Sequence, residues 1–249
     1  MQKAPAGIER SGPDVGTRAG RGIRALAIVS FYVSLSGDSV RYTISWWGWA
    51  PLAFGLAVTA LVLFLRARAP GSRWHLPMGV VIFLPLTTLS LIWSDYRGVT
   101  VIGTLAQFAT AGSGIALASL LSWAQVLRCL SLAVRWVLGL SLVFEAVVAL
   151  LIRHPVLPLW VHYTGKIPDA FYWSRDLLLS GGPVQGVTGN RNILGFIALL
   201  GAILFAIEWA GRRGRARLVP LAWFVVALVC LALTRSGTCL LYTSPSPRD

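Results

Sequence analysis

The sequence predicts an all-α, polytopic integral membrane protein of about seven transmembrane helices with a cytoplasmic N-terminus. Three observations predict it. Hydrophobic residues make up 56% of the 249 and charged residues only 12%, with a mean hydropathy of +0.70. The apolar residues gather into long uncharged runs, and a helix needs ~20 such residues to cross a bilayer. The cations sit between the runs, more densely at every second boundary, as the positive-inside rule requires.

Residues 1–22 are polar and rich in glycine, with Lys3, Arg10, Arg18 and Arg21. Such a segment has little apolar surface to bury and reads as a disordered cytoplasmic tail. The first apolar run, residues 23–35, is short for a span. It reads either as an uncleaved helix stretching towards Ile44 or as a secretory signal peptide with a small-x-small site at Ser34-Leu35-Ser36. Both readings leave the following segment outside.

The second span is expected at about 45–65, with Trp46, Trp47 and Trp49 at its outer end and Arg66, Arg68 and Arg73 beyond its inner end. The third, at about 76–93, emerges at Ser94-Asp95-Tyr96-Arg97. The fourth, at about 99–121, carries Gly112, Gly114, Ala116 and Ala118 at small-xxx-small spacing, which permits close helix approach. Arg128 and Arg135 mark an inner turn before the fifth span, at about 136–152. Residues 153–189 form one substantial loop, in which Pro155, Pro158, Pro168 and Pro183 break any long helix. The sixth span, at about 192–209, ends in Arg212, Arg213, Arg215 and Arg217. The seventh, at about 218–233, returns outward to Thr234-Arg235-Ser236-Gly237-Thr238. The transmembrane domain is therefore expected to cover 23–238.

The net charge of +13 would suit nucleic acid, but its distribution excludes that partner. The arginines are dealt out between apolar runs instead of forming one patch, and the inner groups would meet lipid headgroups. The outer turns hold single cations: Arg41, Arg97, Arg153, Lys166, Arg175, Arg191 and Arg235. Many of the eleven tryptophans fall near span ends, as an aromatic belt does. Cys129, Cys230 and Cys239 have neither metal-ligand nor paired spacing, so no metal and no disulfide framework is expected. No phosphate-binding glycine loop, zinc helix or nucleophile elbow is present, and no cofactor is implied.

The run GVTGNRNILG at 186–195 closes the longest polar interval and opens a very apolar segment. Glycine permits positive φ or close approach, and asparagine is a strong helix N-cap. Asn190, Arg191, Asn192 and the free N–H groups of a helix start would suit an anionic group at a membrane surface. A well-capped helix start explains the same residues without a ligand. Outer arginines such as Arg191 and Arg235 run against the insertion bias, although either could simply snorkel to headgroups. Glu145 falls inside the fifth span, where a carboxylate costs roughly 3 kcal/mol to insert, so it must pair, be protonated or line a cavity. His75 reads as a turn residue. His154 and His162, on the outer loop, could each serve as a general base or be solvated.

The run GVTGNRNILGFIALLGAILF resembles the GxxGNxNxLG segment of the O-antigen ligase/polymerase family of bacterial membrane proteins. Upstream, LSLIWSDYRGVT is similar to that family's Trp-Ser turn, and downstream LALTRSGTCLL is similar to its Ser-rich helix end. The likeness spans about residues 82–238 in the right order. Arg235 precedes Ser236, whereas the commoner family order is Ser then Arg. The last residues, CLLYTSPSPRD, resemble translated sequencing-adapter read-through. We therefore expect 239–249 to be a non-native tail and the chain to be a C-terminally truncated fragment that stops before the family's large outer loop.

The resemblance implies a glycan transferase of the bacterial inner membrane that uses no metal. It would move a saccharide from a polyprenyl-pyrophosphate carrier to an acceptor hydroxyl at the outer face. Arg191 and Arg235, with Asn190 and Asn192 as helix-start donors and Arg97 as a third cation, would then hold the pyrophosphate. The polyprenyl tail would lie in a groove between the small-residue spans. The rival reading is a transporter or lipid-linked saccharide flippase using Glu145 for proton coupling, although no internal repeat supports it. An acyltransferase-type enzyme would need a histidine–acid motif that no span contains.

Overall fold

The computed structural model describes residues 18–67, 76–161, 163, 165 and 167–236. Residues 1–17 and 237–249, with His75, His162 and Lys166, lie outside the described set, as do the expectations for a disordered tail and a non-native end. Among the described residues the regular elements are helices, in the order α1 (Arg18–Leu35), α2 (Gly37–Ala67), α3 (Met78–Leu89), α4 (Arg97–Leu120), α5 (Trp123–Val147), α6 (Arg191–Gly211) and α7 (Leu218–Thr234). Five are long and apolar enough to cross a membrane: α2, α4, α5 with its π-helical extension to Ile152, α6, and α7 with the 3-10 turn before it. The chain is a multi-pass, all-α membrane protein. Two elements fall short of that length or character: α1, and α3 with its 3-10 extension to Ile92.

Where the helices begin and end differs from the sequence reading at three places. Helix α1 starts at Arg18, inside the expected tail, and ends at Leu35 instead of running on towards Ile44. Residues from Gly37 onward belong to α2, whose helix is interrupted at Ser45 (φ 63°, ψ −178°). That break coincides with the expected start of the second span. Helix α5 begins at Trp123, well before Trp136, so Arg128 and Arg135 are helical and not part of a turn. The cause is a reciprocal cap: the Ser122 N–H donates to Gln125 Oε1 (2.9 Å) and the Gln125 N–H to Ser122 Oγ (3.4 Å). This is the S-x-x-Q capping box, visible in the sequence and outweighed there by the two arginines.

The described chain forms two compact units. Unit 1 contains most of α1, the second part of α2, α3 and α4. Its expected small-residue seam is not filled: nothing described lies within 4 Å of a Cβ placed on Gly112 or Gly114, although Ala116 is buried. Unit 2 contains residues 31–51 and 127–236, and carries the main core. Val134, Val137 and Leu138 of α5 pack on Leu194, Ile197, Ala198 and Phe205 of α6, with Ala227 and Cys230 of α7. An ion pair joins α5 and α6, Arg135 donating to Glu208 at 2.5 Å.

The break at Ser45 leaves carbonyls at the end of the first half of α2 without helical donors. The loop between α5 and α6 supplies them. Trp160 Nε1 donates to the Arg41 carbonyl (2.7 Å) and the Leu159 N–H to the Tyr42 carbonyl (2.9 Å). Arg41 itself pairs with Asp38 at 2.8 Å and stacks over the Trp46 ring at 4.7 Å. The 153–189 segment is therefore a docked structure and not a free strap.

Candidate functional site

The site is built where the loop enters α6. Glu145 projects from α5 and is 2% exposed. Its carboxylate accepts from the Gly186 N–H (2.7 Å), the Gln185 N–H (3.2 Å) and Ser174 Oγ (2.9 Å). One turn back on the same helix, Ser141 Oγ accepts from the Val187 N–H at 3.2 Å. The costly intramembrane acid therefore has hydrogen-bond partners, and its partners are the turn that leads into α6. A buried carboxyl without partners would be costly, and these three donors meet that need.

Gly186 fits this anchor because it has no side chain. Its φ is +60°, and a Cβ there would lie 2.6 Å from Ser141 Cβ. Trp173 closes the other side. Its indole N–H donates to the Val187 carbonyl (3.0 Å), and its ring packs on Phe144 at 4.7 Å and edge-on to Tyr42 at 5.6 Å. A backbone bridge between Val156 and Ser174 fixes Trp173 in place.

Beyond this turn Asn190 caps α6 as the sequence predicts, its side-chain oxygen accepting from the Asn192 and Ile193 N–H groups at 2.9 and 3.4 Å. Its oxygen is thus spent on the helix. Asn192 Oδ1 accepts from Ser236 Oγ at 2.9 Å, which ties the start of α6 to the end of α7. Close approach there needs Gly195, since a Cβ on it would stand 3.2 Å from both Ser236 Cβ and Thr234 Oγ1. The Val184 N–H, donating to the Leu233 carbonyl at 3.0 Å, makes the third tie.

Arg191 and Arg235 flank the Asn192–Ser236 bond in sequence, one on each side of the junction. Both are exposed, and neither guanidinium has a partner among the described residues. The Arg235 guanidinium lies near Gly181 of the loop, whose added Cβ would be 3.7 Å from it. Arg97 opens α4 and is exposed, but it belongs to unit 1 and not to this junction's unit. His154 sits on the surface with Nδ1 3.1 Å from the Pro155 carbonyl oxygen. Among the described residues no three His, Cys, Asp or Glu side chains come together as metal ligands would.

Reading the sequence missed Ser141, Trp173, Ser174 and Gln185, all polar contacts of the anchor. An open apolar groove of about 500 Å³ lies within unit 2, lined by Tyr32, Thr43, Ile44, Val143, Phe144 and Trp173 among others. It sits between α5 and the first half of α2, and Val187 of the anchored turn is in its wall. One end is polar: Ser39 Oγ donates to the Ser36 carbonyl (2.6 Å), and Tyr32 Oη lies 3.2 Å from Ser39 Oγ.

Fold and site together define a helical membrane protein with a rigid, cation-bearing helix junction beside an apolar groove. No family model, curated protein or solved structure matches the chain.

Proposed function

We propose that the protein is a membrane glycan transferase of the O-antigen ligase/polymerase kind. It would move a saccharide from a polyprenyl-pyrophosphate carrier to an acceptor hydroxyl at the outer face of a bacterial inner membrane. One observation carries the reading: two arginines without a partner among the described residues stand next in sequence to Asn192 and Ser236, whose hydrogen bond joins the α6 start to the α7 end. In this reading α1 and α3 also cross the bilayer, giving seven spans with the N-terminus inside. That topology is supported by the denser cations at every second boundary.

In the proposed step the acceptor hydroxyl oxygen attacks the anomeric carbon. The bond from that carbon to the carrier's phosphate oxygen breaks, polyprenyl pyrophosphate departs with the bonding pair, and the hydroxyl proton passes to water at the outer face. Arg191 and Arg235 would bind the pyrophosphate through charge-assisted bonds and neutralise the charge it gains. The positive end of the α6 dipole adds to this field. The apolar groove would receive the first isoprene units, its wall sharing Val187 with the turn that sets Arg191. The transporter or flippase alternative needs Glu145 free to exchange protons, and its three donors favour an anchoring role instead.

The test is binding and transfer in proteoliposomes with a polyprenyl-pyrophosphate-linked saccharide. Arg191→Ala and Arg235→Ala should each weaken carrier binding roughly 10- to 100-fold, the worth of one hydrogen bond to a charged group. Membrane insertion and thermal unfolding should stay as in the parent, because neither side chain has a partner to lose among the described residues. Carrier binding that is absent in the parent, or unchanged in both variants, would remove the arginines from the mechanism.

A further inference from the structure

The other end of α6 carries a second cationic feature that glycan transfer does not use. Helix α6 is 21 residues long, so this end lies about 30 Å from Arg191. Arg212, Arg213, Arg215 and Arg217 follow it within six positions, and every residue from 211 to 219 is exposed. The turn has a defined shape. The Arg217 guanidinium donates to the Arg212 carbonyl and stands 5.7 Å from the Trp209 ring centroid, which folds the segment back on α6.

The charges do not balance locally. Glu208 is the acid at this place, and it already takes Arg135 at 2.5 Å and Arg212 at 3.6 Å. Five arginines face one carboxylate, and the side chains of Arg213 and Arg215 have no partner among the described residues. Beside them the surface turns apolar: Ile207, Leu218 and Val219 are 60%, 62% and 52% exposed, with Trp209 at the border. A basic turn on one side of a tryptophan and bare aliphatic side chains on the other is complementary to an amphiphile with an anionic head. An anionic lipid would meet the charge with its headgroup while its acyl chains follow α6 and α7 along the apolar flank.

We propose that the α6–α7 turn is a binding site for anionic phospholipid. Arg213 and Arg215 hold the phosphate, Arg217 and Trp209 set the depth of the headgroup, and the acyl chains lie along Ile207, Leu218 and Val219. This site is independent of the carrier site, and each can fail without the other.

The test is native mass spectrometry of the full chain in neutral detergent, titrated with phosphatidylglycerol or phosphatidylcholine. The chain should retain phosphatidylglycerol in preference. The double variant R213Q/R215Q should bind it roughly thirtyfold more weakly, at ~1 kcal/mol for each arginine near a headgroup. R66Q/R128Q removes the same charge from two exposed positions elsewhere and should keep the parental affinity. An unfolding midpoint for R213Q/R215Q equal to the parent's in neutral detergent shows that a loss is local. Equal retention of both lipids, equal loss in both double variants, or full displacement of the lipid by millimolar inorganic phosphate would overturn the proposal.

Discussion

Replacing Glu145 tests its role as the anchor of the turn before α6. Glu145→Ala removes the acceptor for Gly186 N–H, Gln185 N–H and Ser174 Oγ at once. Gly186 is buried and Ser174 is 0% exposed, so neither group can turn to water in place. Each buried donor left unsatisfied costs about 1–3 kcal/mol, and the emptied side-chain volume adds to it. For three donors a loss of roughly 3–9 kcal/mol follows before the volume term, unless the turn peels away to hydrate itself.

Glu145→Gln should behave differently. The amide oxygen can still accept both backbone N–H groups, and the amide nitrogen can donate to Ser174 Oγ. The two backbone contacts survive, but the third reverses, leaving the Ser174 hydroxyl hydrogen and one amide N–H without an acceptor where Ser174 is 0% exposed. We expect a loss of about 1–3 kcal/mol, smaller than for Ala. The assays are thermal unfolding in detergent and limited proteolysis of the 153–189 loop. Ala should lower the midpoint and expose the loop, while Gln should lower the midpoint less and leave the loop protected. Equal damage from Gln and Ala would mean that the two backbone N–H bonds do not hold the turn. A harmless Ala would mean that Glu145 does not hold the turn.

Two backbone positions give further tests. Gly186→Ala puts a Cβ 2.6 Å from Ser141 Cβ at φ +60°; left-handed strain of ~1–2 kcal/mol plus overpacking of ~1–3 should lower the unfolding midpoint and free the loop to protease. Ser45→Gly should act oppositely, since φ 63° with ψ −178° is a glycine conformation that costs a serine ~1–3 kcal/mol. Part of that gain returns as the backbone entropy of an added glycine, so a rise of the midpoint worth about 1 kcal/mol is expected, and a fall would show that Ser45 Oγ, bonded to the Trp47 N–H at 3.3 Å, matters more than the strain.

What could be read from the chain itself was local. Apolar run length predicted helices, and the GNRN stretch predicted the Asn190 cap, because both depend on residues within a few positions of each other. The start of α5 was legible too, in Ser122 and Gln125, but two arginines were weighed as a boundary. Arg135 is instead held in a helix by Glu208, 73 residues away. The anchor was illegible for the same reason. Glu145 meets Gly186 across 41 residues and Ser141 meets Val187 across 46, and no periodicity encodes such pairs. What the sequence did carry was the demand: a carboxylate in a long apolar helix must find donors. A buried acid wants backbone N–H groups, and backbone N–H groups come free where a glycine turn precedes a helix. Glu145 and the glycine-rich stretch at 186–189 are therefore two halves of one requirement, and that requirement fixes where α6 begins and where Arg191 stands.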